Sequence, residues 1–204
     1  MKLDHLFSTP VFTFHVKDAD SLNVALINDI QALRATSQGL QRSNQKGWHS
    51  ENDFFKREEP SFKKLAVALM TGVKAATQKL APDYGLDNVD MLVEGWINVN
   101  STGAFNVPHD HPGYVWSGCY YVQVPPTPIG SSGVLEFLDP RTNIAVSGLS
   151  NTAAFSNKVQ RKPKAGLFYI FPSYLMHWVY PNQEQDERIS IAFNVRFVRK
   201  GSQG

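Results

Sequence analysis

From residue 91 onward the chain is a succession of short runs dense in β-branched and aromatic residues: "MLVEGWINVN", "YVWSGCYYVQV", "GVLEFLD", "GLFYIFP", "HWVYP" and "RISIAFNVRFV". Glycine, proline, asparagine and serine separate them, and no helical pattern lies between them. Strands linked this closely pair antiparallel, because a parallel crossover needs a dozen or so intervening residues, usually a helix. The spacing therefore predicts an antiparallel sandwich or barrel rather than βαβ units.

The first part of the chain reads differently. "PVFTFHV" predicts a first strand, followed by the polar "KDADS". Leu22, Leu26, Ile30 and Leu33 recur at helical spacing after a cap at Asp20 or Ser21, with Gly39 beyond the last turn. A second helix is expected from Pro60 to about Leu80, with Phe62, Leu65, Leu69, Val73, Ala76 and Leu80 on one face and Pro82 as its stop. The stretch between, "SNQKGWHSENDFFKREE", reads as a long loop, and its "GWHS" is a candidate lid. The fold class expected is α+β but mainly β, with N-terminal helices packed against a β-roll. At 204 residues without a linker, one domain over 1–204 is expected: a support region over 1–90, a β core over 91–198 and a tail over 199–204.

Composition limits what such a chain does. Hydrophobic residues make up 42% and charged residues 19%, the balance of an ordinary globular protein. A net charge of +2 gives no nucleic-acid signal. The single cysteine, Cys119, leaves no internal disulfide and reads as a buried free thiol. "MKLDHLFSTPVFTF" lacks the apolar core of a signal peptide, and no run approaches membrane-spanning length, so a cytoplasmic location without a membrane partner is expected.

The chemistry concentrates in "NVPHDHP" and in two later segments. His109 and His111 are two apart, so in extended chain both imidazoles point to one side and Asp110 to the other. Two nitrogens hold a metal weakly, and a useful site needs a third ligand from elsewhere. His177 follows the strand-like "GLFYIF". Eleven residues later, Arg188 opens a strand in which Arg188, Ser190, Ala192 and Asn194 share one face and Ile189, Ile191, Phe193 and Val195 the other. A sheet face carrying an arginine beside small residues suggests a lined cavity. The arginine fork fits a carboxylate bidentately, and Ser190 adds a hydroxyl donor.

"PHDH", "SGCYYV", "GLFYIFPSYLMH" and "RIS", taken together over roughly residues 91 to 198, resemble the iron(II)- and 2-oxoglutarate-dependent oxygenases, on the prolyl-hydroxylase-like side of that superfamily and close to its small oxygenase members. The resemblance implies a double-stranded β-helix, the jelly-roll or cupin-like core, over those residues. It implies Fe(II) as metal and 2-oxoglutarate as co-substrate, with succinate and CO2 as co-products of a hydroxylation. Carried over residue by residue, His109 is the first ligand and His177 the last, while Arg188 with Ser190 anchors the distal carboxylate of 2-oxoglutarate. Tyr121 matches a tyrosine that binds the same carboxylate, and Asn98 a polar contact on the preceding strand. The implied substrate is a peptidyl side chain or a small molecule, and the oligomeric state stays open, a homodimer included.

One position departs from the family pattern, which wants a carboxylate two residues after the first histidine, where this chain has His111. Three ligand sets compete: His109, His111 and His177; the same with Asp110 in place of His111, through a bulge; or a carboxylate from "GVLEFLDP", Glu136 or Asp139. The first needs no irregular backbone, and ferrous iron accepts imidazole. Trp96, Trp116 and Trp178 read as packing residues, Trp178 also as a screen for the metal, and Lys158, Arg161, Lys162 and Lys164 as a solvated loop. Two other readings of the whole remain: a cupin-like metalloenzyme without 2-oxoglutarate, either a three-histidine dioxygenase or an isomerase, and a non-catalytic β-roll that binds a ligand.

Overall fold

The computed structural model describes residues 1–204 except 3, 5, 127–129, 142–148, 150, 151, 153 and 202–204. The end of the expected tail, and His5, lie outside the described residues. In chain order the elements are β1 (Phe12–His15), α1 (Ala19–Ala35), β2 (Asn44–Gln45), β3 (Trp48–His49), α2 (Pro60–Leu80), β4 (Val89–Asn100), β5 (Phe105–His109), β6 (Trp116–Gln123), β7 (Leu135–Leu138), β8 (Lys158–Arg161), β9 (Leu167–Pro172), β10 (His177–Val179) and β11 (Arg188–Arg199).

The strands form two sheets, one of six in the order β1-β9-β6-β11-β4-β3 and one of five in the order β2-β5-β10-β7-β8. Every ladder between named strands is antiparallel. β11 is the spine of the larger sheet, paired along its whole length with β4 and over half of it with β6. Its alternation separates two interiors. Ile189, Ile191, Phe193 and Val195 face outward into a core shared with both helices, where Leu26, Phe62, Leu65, Leu69 and Val73 are fully buried. Each such side chain contributes about 1.5–3 kcal/mol on removal from water. The opposite face of β11 looks into the space between the sheets, beside a second cluster of Tyr121, Leu135, Phe137, Tyr169 and Phe171.

Several local expectations are corrected. Helix α1 begins at Ala19, ahead of both proposed caps, because Asp18 takes a left-handed conformation (φ 56°) that turns the chain straight out of β1. The hydroxyl of Ser21 donates back to the Asp18 carbonyl instead of capping an amide. The expected long loop contains β2 and β3, which pair with β5 and β4 respectively. The "GWHS" segment is thereby sheet rather than lid: His49 and Ser50 are buried, and the Trp48 indole N–H donates to the Ser37 carbonyl. Lys158 and Arg161 of the basic run belong to strand β8 at a sheet edge, where the exposed Lys158 discourages further pairing. Strand β5 was read only as a histidine motif, since "FNVPH" carries a proline and little apolar pattern.

Helix α2 lies close enough to the sheet that a Cβ on Gly72 would sit 2.7 Å from the Phe168 ring. Gly72→Ala would recover about 0.5–1 kcal/mol of helix propensity. Overpacking a buried ring costs about 1–3 kcal/mol, so the clash wins. The expected outcome is a lower urea midpoint at unchanged slope; a midpoint equal to or above wild type would mean that Phe168 can move aside.

Candidate metal centre and anion anchor

His109 ends β5 and His177 opens β10, and the two are direct cross-strand partners. His111 lies two residues past His109, where its amide donates to the Ser173 carbonyl at 3.0 Å and so holds the segment against the turn before β10. The three rings converge: centroids are 4.4 Å apart for His109 and His177, 5.0 Å for His109 and His111, and 5.3 Å for His111 and His177. One nitrogen from each lies within 4.8 Å of the others. Imidazoles this close suit a shared cation far better than they suit one another as charged groups.

Protonation and tautomer favour the same use. Burial pushes His177 down to about 3 and His111 down to about 4, with the neighbouring histidines adding to the effect, and burial also lowers His109. All three are therefore neutral near pH 7. The Nδ1 atoms of His109 and His177 lie 2.6 and 2.8 Å from the backbone carbonyls of Val107 and Leu175. A carbonyl only accepts, so Nδ1 carries the proton in both rings and the Nε2 lone pairs are left for a ligand bond.

The carboxylates proposed as substitutes lie elsewhere. Asp110 is exposed and outside the histidine group, as strand alternation requires. Glu136 is buried on the outer side of the smaller sheet, where Gln160, Trp178 and Tyr180 donate to it. Burial raises its carboxyl, but those bonds and Lys158 outweigh it and the net shift is downward. Asp139 is held by Arg141 in a bidentate pair, which lowers its carboxyl. Trp178 shares that outer side, its ring tilted against Tyr180 with centroids 4.1 Å apart, and does not screen the histidines.

Facing the histidines across the cavity, the inner residues of the larger sheet form rungs: Asn100 with Arg188; Asn98 with Ser190 and Tyr121; Trp96 with Ala192 and Cys119; Glu94 with Asn194 and Ser117. The Trp96 ring approaches His111, centroids 5.7 Å apart, so the histidine group sits opposite the third rung. Ala192 and Cys119 leave space there, and both line the cavity with Asn98, Asn106, Phe171 and Arg188.

Arg188 is 1% exposed, and among the described residues it has no ion pair. Its Nε donates to the Gly133 carbonyl at 3.1 Å and its Nη1 to the Ser190 hydroxyl at 3.1 Å, while Nη2 has no partner. Gly133 has φ +64°, and a Cβ there would lie 2.8 Å from the arginine Cδ, so only glycine allows this approach. The guanidinium carbon lies 5.1 Å from the centre of the Tyr121 ring. The Tyr121 hydroxyl and the Asn98 Oδ1 are also buried without partners. A buried, unpaired cation costs several kcal/mol of desolvation on the order of magnitude usual for ions. These orphaned groups are the signature of a site for an anion with further polar atoms.

The sequence reading missed Trp96, Asn106 and Ser117 as cavity residues, and Glu94 one rung beyond them. Alternation through "EGWINVN" puts Glu94, Trp96, Asn98 and Asn100 on one face and could have found two of these four, Glu94 and Trp96. Nothing in the sequence pointed to Gly133.

Two antiparallel sheets closing on a cavity, with three imidazoles on one wall and a buried arginine on the other, define the double-stranded β-helix class of 2-oxoglutarate oxygenases. In fold the chain resembles a Pseudomonas putida prolyl-4-hydroxylase (TM-score 0.64, 18% identity, 96% of each chain covered). It also resembles a Trichoplax adhaerens prolyl hydroxylase solved with a hypoxia inducible factor peptide (0.64, 13%, covering 91% of this chain and 83% of that one). A third likeness is to HygX of Streptomyces hygroscopicus, solved with nickel and 2-oxoglutarate (0.59, 13%, 92% and 83%). At these identities the likeness shows the fold. No curated protein matches the sequence. Residues 94–194 match the model of the family described as "Putative 2OG-Fe(II) oxygenase", so this stretch of the chain carries that family's domain. No helix among the described residues is long and apolar enough to cross a membrane.

Cys119 lies on the inner face beside Arg188, Ser190 and Tyr121, and burial is the main cause that pushes its thiol above the usual range. Less thiolate and restricted access both slow alkylation. In native protein at pH 7.5, iodoacetamide should label Cys119 more slowly than in urea, by about ten-fold or more. Equal rates would show that the cavity opens freely to solvent.

Proposed function

We propose that this chain is an Fe(II)- and 2-oxoglutarate-dependent dioxygenase that hydroxylates a peptidyl side chain or a small molecule, with succinate and CO2 as co-products. The observation that carries the reading is the buried Arg188, which has a free Nη2, lies over Tyr121 with its orphaned hydroxyl, and lines the same cavity as three neutral imidazoles. The donor set fits both groups. His109, His111 and His177 would hold ferrous iron, for which imidazole is a suitable ligand. Arg188 and Tyr121 would hold the distal carboxylate of 2-oxoglutarate, and Asn98 a further polar contact.

When bound, iron with 2-oxoglutarate supplies the activation of dioxygen and the oxidising power for C–H hydroxylation. The chain's own part is to position and to exclude. Carbonyls of Val107 and Leu175 orient two ligands, Arg188 fixes the co-substrate's far end, and the apolar Phe171, Leu135 and Val179 keep the inner cavity dry. Desolvation strengthens the charge contact at Arg188. In a cupin-like enzyme without 2-oxoglutarate, the unpaired guanidinium would be left without a function.

His109→Ala, His111→Ala and His177→Ala are each expected to abolish stoichiometric ferrous iron binding in folded protein, with Asp110→Ala close to wild type. Metal analysis after anaerobic loading checks this. Wild-type occupancy in any histidine variant, or loss in Asp110→Ala, would break the three-histidine assignment.

Arg188→Ala should leave iron binding intact and weaken 2-oxoglutarate by about 1.5–3 kcal/mol, the worth of a hydrogen bond to a charged group, roughly ten- to a hundred-fold. Lysine should restore only part, since it lacks the planar fork. Titration of 2-oxoglutarate into anaerobic iron-loaded protein, read by charge-transfer absorption and by succinate release, measures both. Equal affinity in Arg188→Ala and wild type, or no succinate from wild type with any peptide or amino-acid substrate tried, would move the reading to the cupin class.

A further inference from the structure

We infer that Glu94 supplies, from one rung outside the metal-facing rung, the negative charge that a three-histidine ligand set lacks. The inference rests on the metal centre proposed above and concerns a residue to which that reading gives no role.

Three neutral imidazoles leave a divalent cation with its full charge. A ferrous ion, a dianionic co-substrate and the Arg188 guanidinium together leave one positive charge over in a cavity of low dielectric. In an oxygenase with a carboxylate ligand the same set would be neutral. A compensating anion near the metal would lower the energy of the loaded site.

Glu94 is placed and held as such an anion would need to be. It lies on the inner face of β4 two residues from Trp96, whose ring packs against His111. One pleat repeat is about 7 Å, so the carboxylate stands a single step from the histidine group, on the side away from Arg188. It is half-buried, which limits solvent screening.

Its partners are neutral. Ser117, buried on β6, donates to Asn194 Oδ1 at 2.7 Å; Asn194, buried on β11, then donates through Nδ2 to Glu94 Oε1 at 3.1 Å. The serine contact fixes which end of the amide faces the carboxylate. Asn52 adds a longer bond to Oε2 at 3.4 Å. Among the described residues no lysine or arginine pairs with Glu94. Tyr114 is a further neutral partner, and the Arg196 charge reaches Tyr114 without forming an ion pair to Glu94. The carboxylate is therefore held by neutral groups, and no direct ion pair cancels its charge.

The residue acts through space on the metal and is a positioning residue for charge, not a ligand. The test uses full-length protein and a charge series: Glu94→Asp, Glu94→Gln and Glu94→Lys, with Asp110→Asn as the exposed control. Two readouts are taken without turnover: the Kd for ferrous iron under anaerobic conditions and the Fe(III)/Fe(II) reduction potential. Glu94→Gln should weaken iron roughly ten- to a hundred-fold, the range for groups just outside a ligand shell. The potential should move positive, since an anion favours the more highly charged ferric state. Glu94→Asp should lie nearer wild type and Glu94→Lys beyond Glu94→Gln, with Asp110→Asn the smallest change. Wild-type affinity and potential in Glu94→Gln would overturn the inference and leave the metal centre standing. So would equal defects in the Asp and Lys variants, because a structural role follows shape and not charge. Wild-type protein that binds no iron would overturn the metal centre and this inference with it.

Discussion

A buried guanidinium without a counter-charge is the constraint around which the cavity is organised. Arg188 is almost wholly removed from water, yet two of its three nitrogens find only a carbonyl and a hydroxyl, and the third finds nothing. Such a group is costly in the empty protein, and the rest of the fold must outweigh that cost. The apolar side of β11 does so: four of its residues lie in the same core as both helices. One strand therefore carries a stabilising face and a destabilising one, and the second is tolerable because of the first.

That duality explains what was legible in the sequence. The alternation of "RISIAFNVRF" separates the two faces outright, because a strand's period of two leaves no freedom about which residues share a side. The helical spacing of Phe62, Leu65, Leu69 and Val73 was equally plain, and α2 spans the expected residues. Strands β2, β3, β5 and β8 were not legible, because each is two to five residues long without a clear apolar alternation, and pairing with a neighbour rather than its own pattern makes it a strand. The same limit applies within the cavity. His109, His111 and Arg188 stand out as residue types, whereas Gly133 matters only through a backbone that returns from a distant segment to meet Arg188.

The departure at His111 reaches beyond the ligand set. Most of the family resemblance lies in spacing and in the arginine, and those features carry over onto this chain's geometry. Exchanging an acid for an imidazole at one ligand position changes no spacing but removes a unit of charge from the place where it matters most. The structure has buried Asn194 and Ser117 beside Glu94, two polar side chains that a purely apolar wall would not need. Electrostatic balance in such a site is a property of the whole cavity and can be distributed over rungs that never touch the metal.

The carbonyl contacts of His109 and His177 have a consequence of another kind. Each imidazole is tied to the peptide group two residues before it, within its own segment. Ring orientation is thus written into the local course of the main chain and owes nothing to the side chains that form the opposite wall. A lineage could exchange wall residues away from the Glu94 rung, and with them the molecules admitted, without turning either ring. Diversification of that part of the cavity would then require no coordinated change at His109 or His177, only single replacements on the facing strands.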